Sequence, residues 1–281
     1  MGASLLAAVY GLVSAVSWGG GDFCGGLATR RAPVLWVLLI GQLCGLGLLV
    51  TLALAFGEPW LPWEAIILAS ASGVFGSVGL TMLYAALSAG RAALVAPVSA
   101  VLAATVPVVV ATYTDGLPGP LRLFGFGLAL VGIWLVAQSE EAGGGRKLAG
   151  VPQALFAGIG FGVFFVLIDR TGDFATFWPL AVARAVPVPV TLGLLLLRGQ
   201  LRPLPRAALP VATLSGALDV GGNVFFLLAS EAGGLAIAAV LSSLYPASTV
   251  VLSRFVLDET MTRVQVLGLL TVLVAIVLIV V

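Results

Sequence analysis

The sequence predicts an all-α integral membrane protein in which ten transmembrane helices form two inverted five-helix repeats around a central cavity. Of its 281 residues, 60% are hydrophobic and 9% are charged, a composition that soluble globular domains do not reach. Apolar runs of about 20 residues, the length that crosses a bilayer, recur along the whole chain. The runs of the second half follow the same order as those of the first.

The predicted helices are bounded by charged residues or by joints rich in proline and glycine. The ten predicted spans are 4–24, 34–56, 65–88, 92–112, 120–138, 150–168, 177–197, 209–229, 235–253 and 264–281. One connection, at 139–149, is clearly hydrophilic and reads as a flexible linker. It separates a first five-helix repeat at 1–138 from a second at 150–281.

An internal repeat relates the two halves at an offset of 143 residues. This offset pairs Gly73 with Gly216, and the tail LALVGIWLV at 128–136 with TVLVAIVLI at 271–279 without a gap. Because each half has an odd number of spans, the two halves cross the membrane in opposite orientations. Inverted repeats of this kind are typical of secondary transporters, whose substrate sites lie between the repeats near the middle of the membrane.

Basic residues predict the orientation of the chain in the cell membrane. Ten of the thirteen lysines and arginines fall in loops one, three, five, seven and nine, which we call the arginine-rich face. The other loops, on the opposite face, contain Arg122 and Arg170. Because cytoplasmic loops carry an excess of basic residues, the arginine-rich face is predicted to be cytoplasmic and both termini to lie outside.

The residue inventory excludes several classes of function. The sequence contains no histidine, which excludes zinc–histidine clusters and Ser-His-Asp triads. It has no Gly-x-x-x-x-Gly-Lys-Ser/Thr loop for ATP, and its net charge of +1 leaves no basic field for nucleic acid. We therefore expect neither an enzyme nor a cofactor or metal site.

The eighth predicted span carries an ionisable residue in the middle of an apolar segment. In LSGALDVGGNVFFLLASE at 214–231, Asp219 and Asn223 fall on one helical face with Ser215. A charge near mid-membrane almost always faces the bundle interior or a wet cavity. Gly76 occupies the mirror position in the first half, so the charge breaks the symmetry of the repeats.

Arg184 in the seventh span is the natural partner of Asp219. At a rise of about 1.5 Å per residue, the two positions differ in depth by ~6 Å, within the reach of an arginine side chain. Three interpretations of such a pair remain open. The pair is either a static bridge, or a clamp for the carboxylate and amine of a zwitterion, or a coupling site at which Asp219 exchanges a proton.

Five other residues are candidates for the same cavity. Asn223 lies one turn from Asp219, and Gln42 in the second span occupies the place equivalent to Arg184; hydrogen bonding to a neighbouring helix is the alternative for Asn223. Trp18, Tyr84 and Tyr245 are candidate cavity aromatics for stacking or cation–π contact. Packing in the core or at the lipid interface is the alternative for each aromatic residue.

Three segments resemble the EamA-type branch of the drug/metabolite transporter superfamily. They are SWGGGDF at 17–23, YAALSAGRAALVAPVSAVL at 84–102 and LDETMTRVQVLGLLTVLVAIVLI at 257–279. The resemblance implies ten helices as inverted repeats, a central cavity, and secondary export of small metabolites, amino acids or drugs. Asp22, within the first segment, is a candidate for gating or binding. The family pattern implies cytoplasmic termini, whereas the basic residues place them outside.

The sequence thus favours a secondary active transporter, with protons or another ion as the coupling partner. Its expected partners are a small-molecule substrate and membrane lipid. A flippase for a lipid-linked substrate would need a laterally open basic groove, and Arg184 is the one deep cation. A non-transporting scaffold would not need Asp219 and Arg184 at depth. The sequence leaves the substrate and the oligomeric state open.

Overall fold

The computed structural model describes residues 2–88, 92–136, 151–199, 206–257 and 261–280, and these residues are helical with short joints. No strand occurs in these ranges. The predicted linker at 139–149 lies outside them. The helices are α1 Gly2–Thr29, α2 Val34–Ala55, α3 Trp63–Ser88, α4 Ala92–Asp115, α5 Pro120–Val136, α6 Val151–Asp169, α7 Phe177–Ala185, α8 Pro187–Leu197, α9 Leu209–Gly233, α10 Leu235–Ser242, α11 Tyr245–Val256 and α12 Arg263–Val280.

Within the described residues, eight helical segments are long and apolar enough to cross a membrane. Two of them combine consecutive helices: α7 with α8 forms Phe177–Leu197, and α10 with α11 forms Leu235–Val256. The fifth and tenth predicted spans coincide with shorter apolar helices, Pro120–Val136 and Arg263–Ile279. The prediction of an all-α multi-pass membrane protein is confirmed, with eight of the predicted spans meeting the length of a full crossing.

The seventh and ninth predicted spans are each broken near their middle. The first break lies at Val186, directly before Pro187, and the second at Ser243 and Leu244, just before Pro246. A proline in a helix interior removes one backbone donor, and its ring collides with the preceding turn. Each half-helix can therefore take its own direction, and Arg184 lies at the end of the first one.

Small residues let the helices pack closely. A Cβ atom added at Gly216 of α9 would collide with the backbone of Gly41 in α2. A Cβ atom added at Gly160 of α6 would lie 3.0 Å from Cα of Gly79 in α3. Lipid provides no hydrophobic force between helices, so close backbone approach at small residues is a main source of their association.

The longest helix pairings bring the two halves of the chain together. α1 packs along α9, α3 along α6, and α5 along α12. α2 packs against both α9 and α7, so it lies between the two spans that carry Asp219 and Arg184. The candidate site is therefore built at the interface between the halves.

We expect Gly216→Val to destabilise the protein by about 1–3 kcal/mol, because the added side chain forces α2 and α9 apart. Thermal unfolding of the detergent-solubilised protein measures the effect. Gly26→Val is the matched control, because nothing lies within 4 Å of a Cβ atom added there. Equal melting temperatures for the two variants would contradict the close α2–α9 crossing.

Candidate functional site

Arg184 and Asp219 form an ion pair between α7 and α9. Nη2 of Arg184 contacts Oδ2 of Asp219, and their side chains are 15% and 42% exposed, respectively. The cation is thus largely enclosed, whereas the carboxylate remains accessible. Pairing neutralises two charges whose isolation at this depth would be costly.

A glycine in α2 makes room for the guanidinium. A Cβ atom added at Gly45 would lie 2.8 Å from Nη1 of Arg184 and 2.9 Å from its Cδ. Larger residues at this position would push the arginine off its partner. The sequence analysis missed Gly45, because glycines are frequent in these spans and only the fold identifies the one that faces Arg184.

Asn223 orients the carboxylate from within the same helix. Its Nδ2 donates hydrogen bonds to the backbone oxygen of Asp219 at 2.7 Å and to Oδ2 of Asp219 at 3.2 Å. The side chain of Asn223 is buried. Oδ2 of Asp219 therefore receives donors from both Arg184 and Asn223, which holds the carboxylate in one orientation.

Gln42 supplies an acceptor without a partner on the same face of α2 as Gly45. Among the described residues, its Oε1 is buried and makes no hydrogen bond, and the residue is 8% exposed. A buried acceptor left unpaired costs roughly 1–3 kcal/mol. A donor on a ligand or a water molecule would relieve that cost, which makes Gln42 a binding candidate beside the ion pair.

Trp18 lies in a layer of stacked aromatic rings and not in an open cavity. Its ring stacks on Phe165 at 5.4 Å between centroids, and Phe165 stacks on Phe226 at 4.8 Å. The ring of Tyr245 meets Trp18 edge-on at 6.5 Å. We call Trp18, Phe165, Phe226 and Tyr245 the aromatic layer. Its contacts favour the core-packing alternative for Trp18, and the side chain of Tyr84 lies outside the described residues.

Asp22 lies on α1, next to the crossing of α1 with the Asp219 segment. A Cβ atom added at Gly21 would lie 3.4 Å from the backbone nitrogen of Asp219. Oγ of Ser215 donates a hydrogen bond of 2.7 Å to the backbone oxygen of Gly21, which locks this crossing. Asp22 itself is exposed. Asp22 is therefore a second exposed carboxylate, one residue from the point where α1 crosses the Asp219 segment.

The part of the sequence that contains Arg184 and Asp219 also matches a known family. Residues 148–281 match the model of the EamA-like transporter family. The second half of the chain is thus similar to the EamA-like transporter family. The resemblance drawn from the sequence motifs is thereby confirmed for the half that contains both Arg184 and Asp219, and the family is one of transporters and not of enzymes.

Solved structures share the fold over nearly the whole chain. The crystal structure of one other protein superposes with a TM-score of 0.76 over 97% of this chain and 95% of its own. Its sequence is 17% identical, so the likeness concerns the fold alone. No curated protein matches the sequence. The fold common to these chains therefore includes the first half as well as the EamA-like half.

The EamA-like half supplies the charges, and the first half supplies their surroundings. Arg184, Asp219 and Asn223 lie in the EamA-like half, whereas Gln42, Gly45 and the Gly21–Asp22 segment come from α1 and α2. Among the described residues, no group of histidine, cysteine, aspartate and glutamate side chains could hold a metal ion. The chemistry available at the site is ion pairing, hydrogen bonding and proton exchange.

A further side-chain contact joins α9 to α6, nearer the face opposite the arginine-rich loops. Oγ of Ser230 in α9 donates a hydrogen bond to Oδ1 of Asp169 at the end of α6. Asp169 and Glu231 both lie at or near helix ends. Glu231 is exposed, whereas Asp169 is half-buried and bound to Ser230.

We expect Gly45→Ala to uncouple Arg184 from Asp219, because the added methyl group occupies the space of the guanidinium. A double-mutant cycle with Arg184→Gln and Asp219→Asn measures the coupling free energy of the pair from thermal or denaturant unfolding. In the parent we expect about 1–2 kcal/mol, since water around the exposed Asp219 screens the interaction.

In the Gly45→Ala background this coupling should fall to nearly zero. Gly47→Ala is the matched control in the same helix, because nothing lies within 4 Å of a Cβ atom added there. An unchanged coupling in Gly45→Ala would show that Gly45 does not seat the arginine.

Proposed function

We propose that the protein is a secondary active transporter that exports small metabolites, amino acids or drugs across the cell membrane by alternating access. Protons exchanged at Asp219 drive the export. The proposal is carried by one observation: an accessible carboxylate, paired with an enclosed arginine, lies between the two halves of a chain whose second half is EamA-like. An ionisable pair at that depth marks a substrate or ion pathway in membrane proteins.

The helix pairings support an inverted-repeat organisation around this site. The first span of each half packs along the third span of the other, because α1 packs on α9 and α6 packs on α3. The last spans of the two halves, α5 and α12, pack on each other. Such reciprocal contacts are expected of two related halves that rock against each other about a central site.

Three ligands compete for the carboxylate of Asp219 in this mechanism. In the resting site the partner is Arg184. An amine of the substrate replaces the guanidinium at Asp219, while a carboxylate on the substrate pairs with Arg184. A proton displaces the amine on the side where the substrate leaves, so that proton binding and substrate binding are mutually exclusive at one group.

Gln42 and Asn223 define where the substrate is held. Asn223 keeps the carboxylate of Asp219 oriented from α9, and Oε1 of Gln42 offers an acceptor from α2. A substrate with more than one N–H donor would satisfy both Asp219 and Gln42. These contacts bridge the two halves, as binding in an alternating-access transporter requires.

A lipid-linked substrate fits this site less well. Binding its phosphate groups would require a cation free of other partners, whereas Arg184 is paired with Asp219.

The direction of transport follows from the orientation of the chain, in which the basic loops predict that the arginine-rich face is cytoplasmic. Export then moves substrate from the arginine-rich face to the opposite face.

We expect Asp219→Asn to abolish substrate-driven proton movement, because the amide does not exchange a proton in this pH range. Purified protein in liposomes that contain a pH-sensitive dye is challenged with pools of amino acids and amines. Glu64→Gln, an exposed acid at the start of α3, is the matched control and should move protons as the parent does. Full proton-dependent transport by Asp219→Asn would disprove the coupling role.

The double variant Asp219→Leu with Arg184→Leu separates transport from a purely static bridge. Replacing both charges by apolar residues of similar volume often preserves folding. We expect the double variant to fold with near-parental stability and to have lost transport in the same liposome assay. Parental transport by this variant would identify the pair as structural.

A further inference from the structure

The short helices α7 and α10 pack into the face opposite the arginine-rich loops, which we call the sealed face. On that face α4 and α6 pack against α10, and α7 packs against α2, α3 and α9. Towards the arginine-rich face, α11 packs against α1 and α5, and α8 packs mainly against α2. The aromatic layer and the contact of Ser230 with Asp169 lie between Asp219 and the opposite face. Asp219 therefore lies on the arginine-rich side of the aromatic layer and of the Ser230–Asp169 contact.

A glycine turn presents Glu58 on the sealed face. α2 ends at Ala55, and Gly57, two residues later, has a φ of +64° in the left-handed region. The backbone nitrogen of Gly57 donates to the oxygen of Leu54 at 3.2 Å, and that of Glu58 to the oxygen of Ala53 at 2.9 Å. This is a Schellman motif, which closes the helix and fixes the residue after the glycine. The position of Glu58 relative to the end of α2 is therefore fixed.

The carboxylate of Glu58 caps the N-terminus of α7 from the other half of the chain. Oε1 accepts from the backbone nitrogen of Thr176 at 2.8 Å, and Oε2 accepts from those of Phe177 at 2.9 Å and Trp178 at 3.1 Å. Thr176, the local N-cap residue, makes no capping bond with its own side chain. The unpaired N–H groups and the positive end of α7 thus depend on one distant carboxylate.

Two aromatic pairs surround this cap. The rings of Phe56 and Phe177 lie 5.4 Å apart between centroids, and those of Trp60 and Trp178 lie 4.8 Å apart. The indole nitrogen of Trp178 also donates to the backbone oxygen of Glu58 at 3.2 Å. The turn after α2 and the start of α7 therefore form one interface between the halves.

α7 connects this interface to the ion pair. Phe177 at its start and Arg184 in its last turn are separated by about 10 Å along the helix axis. The break at Val186 and Pro187 separates α7 from α8, so α7 can move as a short rigid element. A displacement of its capped end also displaces Arg184 relative to Asp219.

We propose that Glu58 is the gate residue of the sealed face. Its cap on α7 holds that face shut and keeps Arg184 paired with Asp219. Release of the cap opens the face during transport. The proposal rests on the transport function proposed above, since it assigns the cap to one of two alternating states. Glu58 acts as a positioning residue, because it reaches the site through α7 and not by contact with substrate.

The test measures solvent access to the sealed region and needs no substrate. In a background with Cys24→Ala and Cys44→Ala, the reporter is Ala229→Cys, a fully buried position of α9. A membrane-impermeant maleimide labels this cysteine in the detergent-solubilised protein. Glu58→Gln should raise the labelling rate about fivefold, the shift in equilibrium expected when a helix loses its N-cap.

Glu64→Gln, which removes an exposed carboxylate on the same face, should leave the labelling rate unchanged. Glu58→Asp keeps the charge on a shorter side chain and should give an intermediate rate, so it replaces Glu58→Gln if that variant does not fold. Circular dichroism and size-exclusion chromatography verify folding. A parental labelling rate in the folded Glu58 variant overturns the proposal.

Liposome transport separates the two proposals. If the parent moves protons with substrate and Glu58→Gln changes neither labelling nor transport, the gate assignment fails and the transporter stands. If labelling rises but no substrate drives proton movement in the parent, the cap is confirmed as the closure of this face and the proposed function fails. A rise in labelling together with a lower apparent substrate affinity supports both.

Discussion

The cost of placing a charge in the hydrocarbon region shapes the centre of this protein. Arg184 cannot remain there without a counter-ion, and Asp219 supplies one from the neighbouring span. The pair in turn demands a gap at Gly45 and an orienting amide at Asn223. The site is thus a consequence of one electrostatic requirement, met by four residues on three helices.

The same requirement explains why the pair lies between the halves. A charge pair inside one rigid group of helices would be enclosed on all sides, whereas Asp219 keeps 42% of its side chain exposed. Glycine crossings such as Gly41 with Gly216 hold the helices close without large side chains. The packing is therefore tight around the arginine and open around the carboxylate, an asymmetry that suits a group that must exchange partners.

The sequence predicted the spans and the charged pair because each depends on local composition or depth. Apolar length located the helices, and the rise per residue placed Arg184 within reach of Asp219. Glu58 was not predictable in this way, because its partner Thr176 is 118 positions away and no local pattern links a loop acid to a distant helix start. The sequence left both a cavity and core packing open for Trp18, because composition cannot distinguish a ring that lines a cavity from one stacked on Phe165.

The cap of α7 by Glu58 also has a consequence for biosynthesis. The ribosome makes the first half before the second, so α2 with Gly45 and Glu58 enters the membrane ahead of α7. The short, proline-bounded α7 then emerges next to a template that already offers the acceptor for its first N–H groups and the space for Arg184. The order in which the halves are synthesised thus places the gap for Arg184 and the cap for α7 in the membrane before α7 itself.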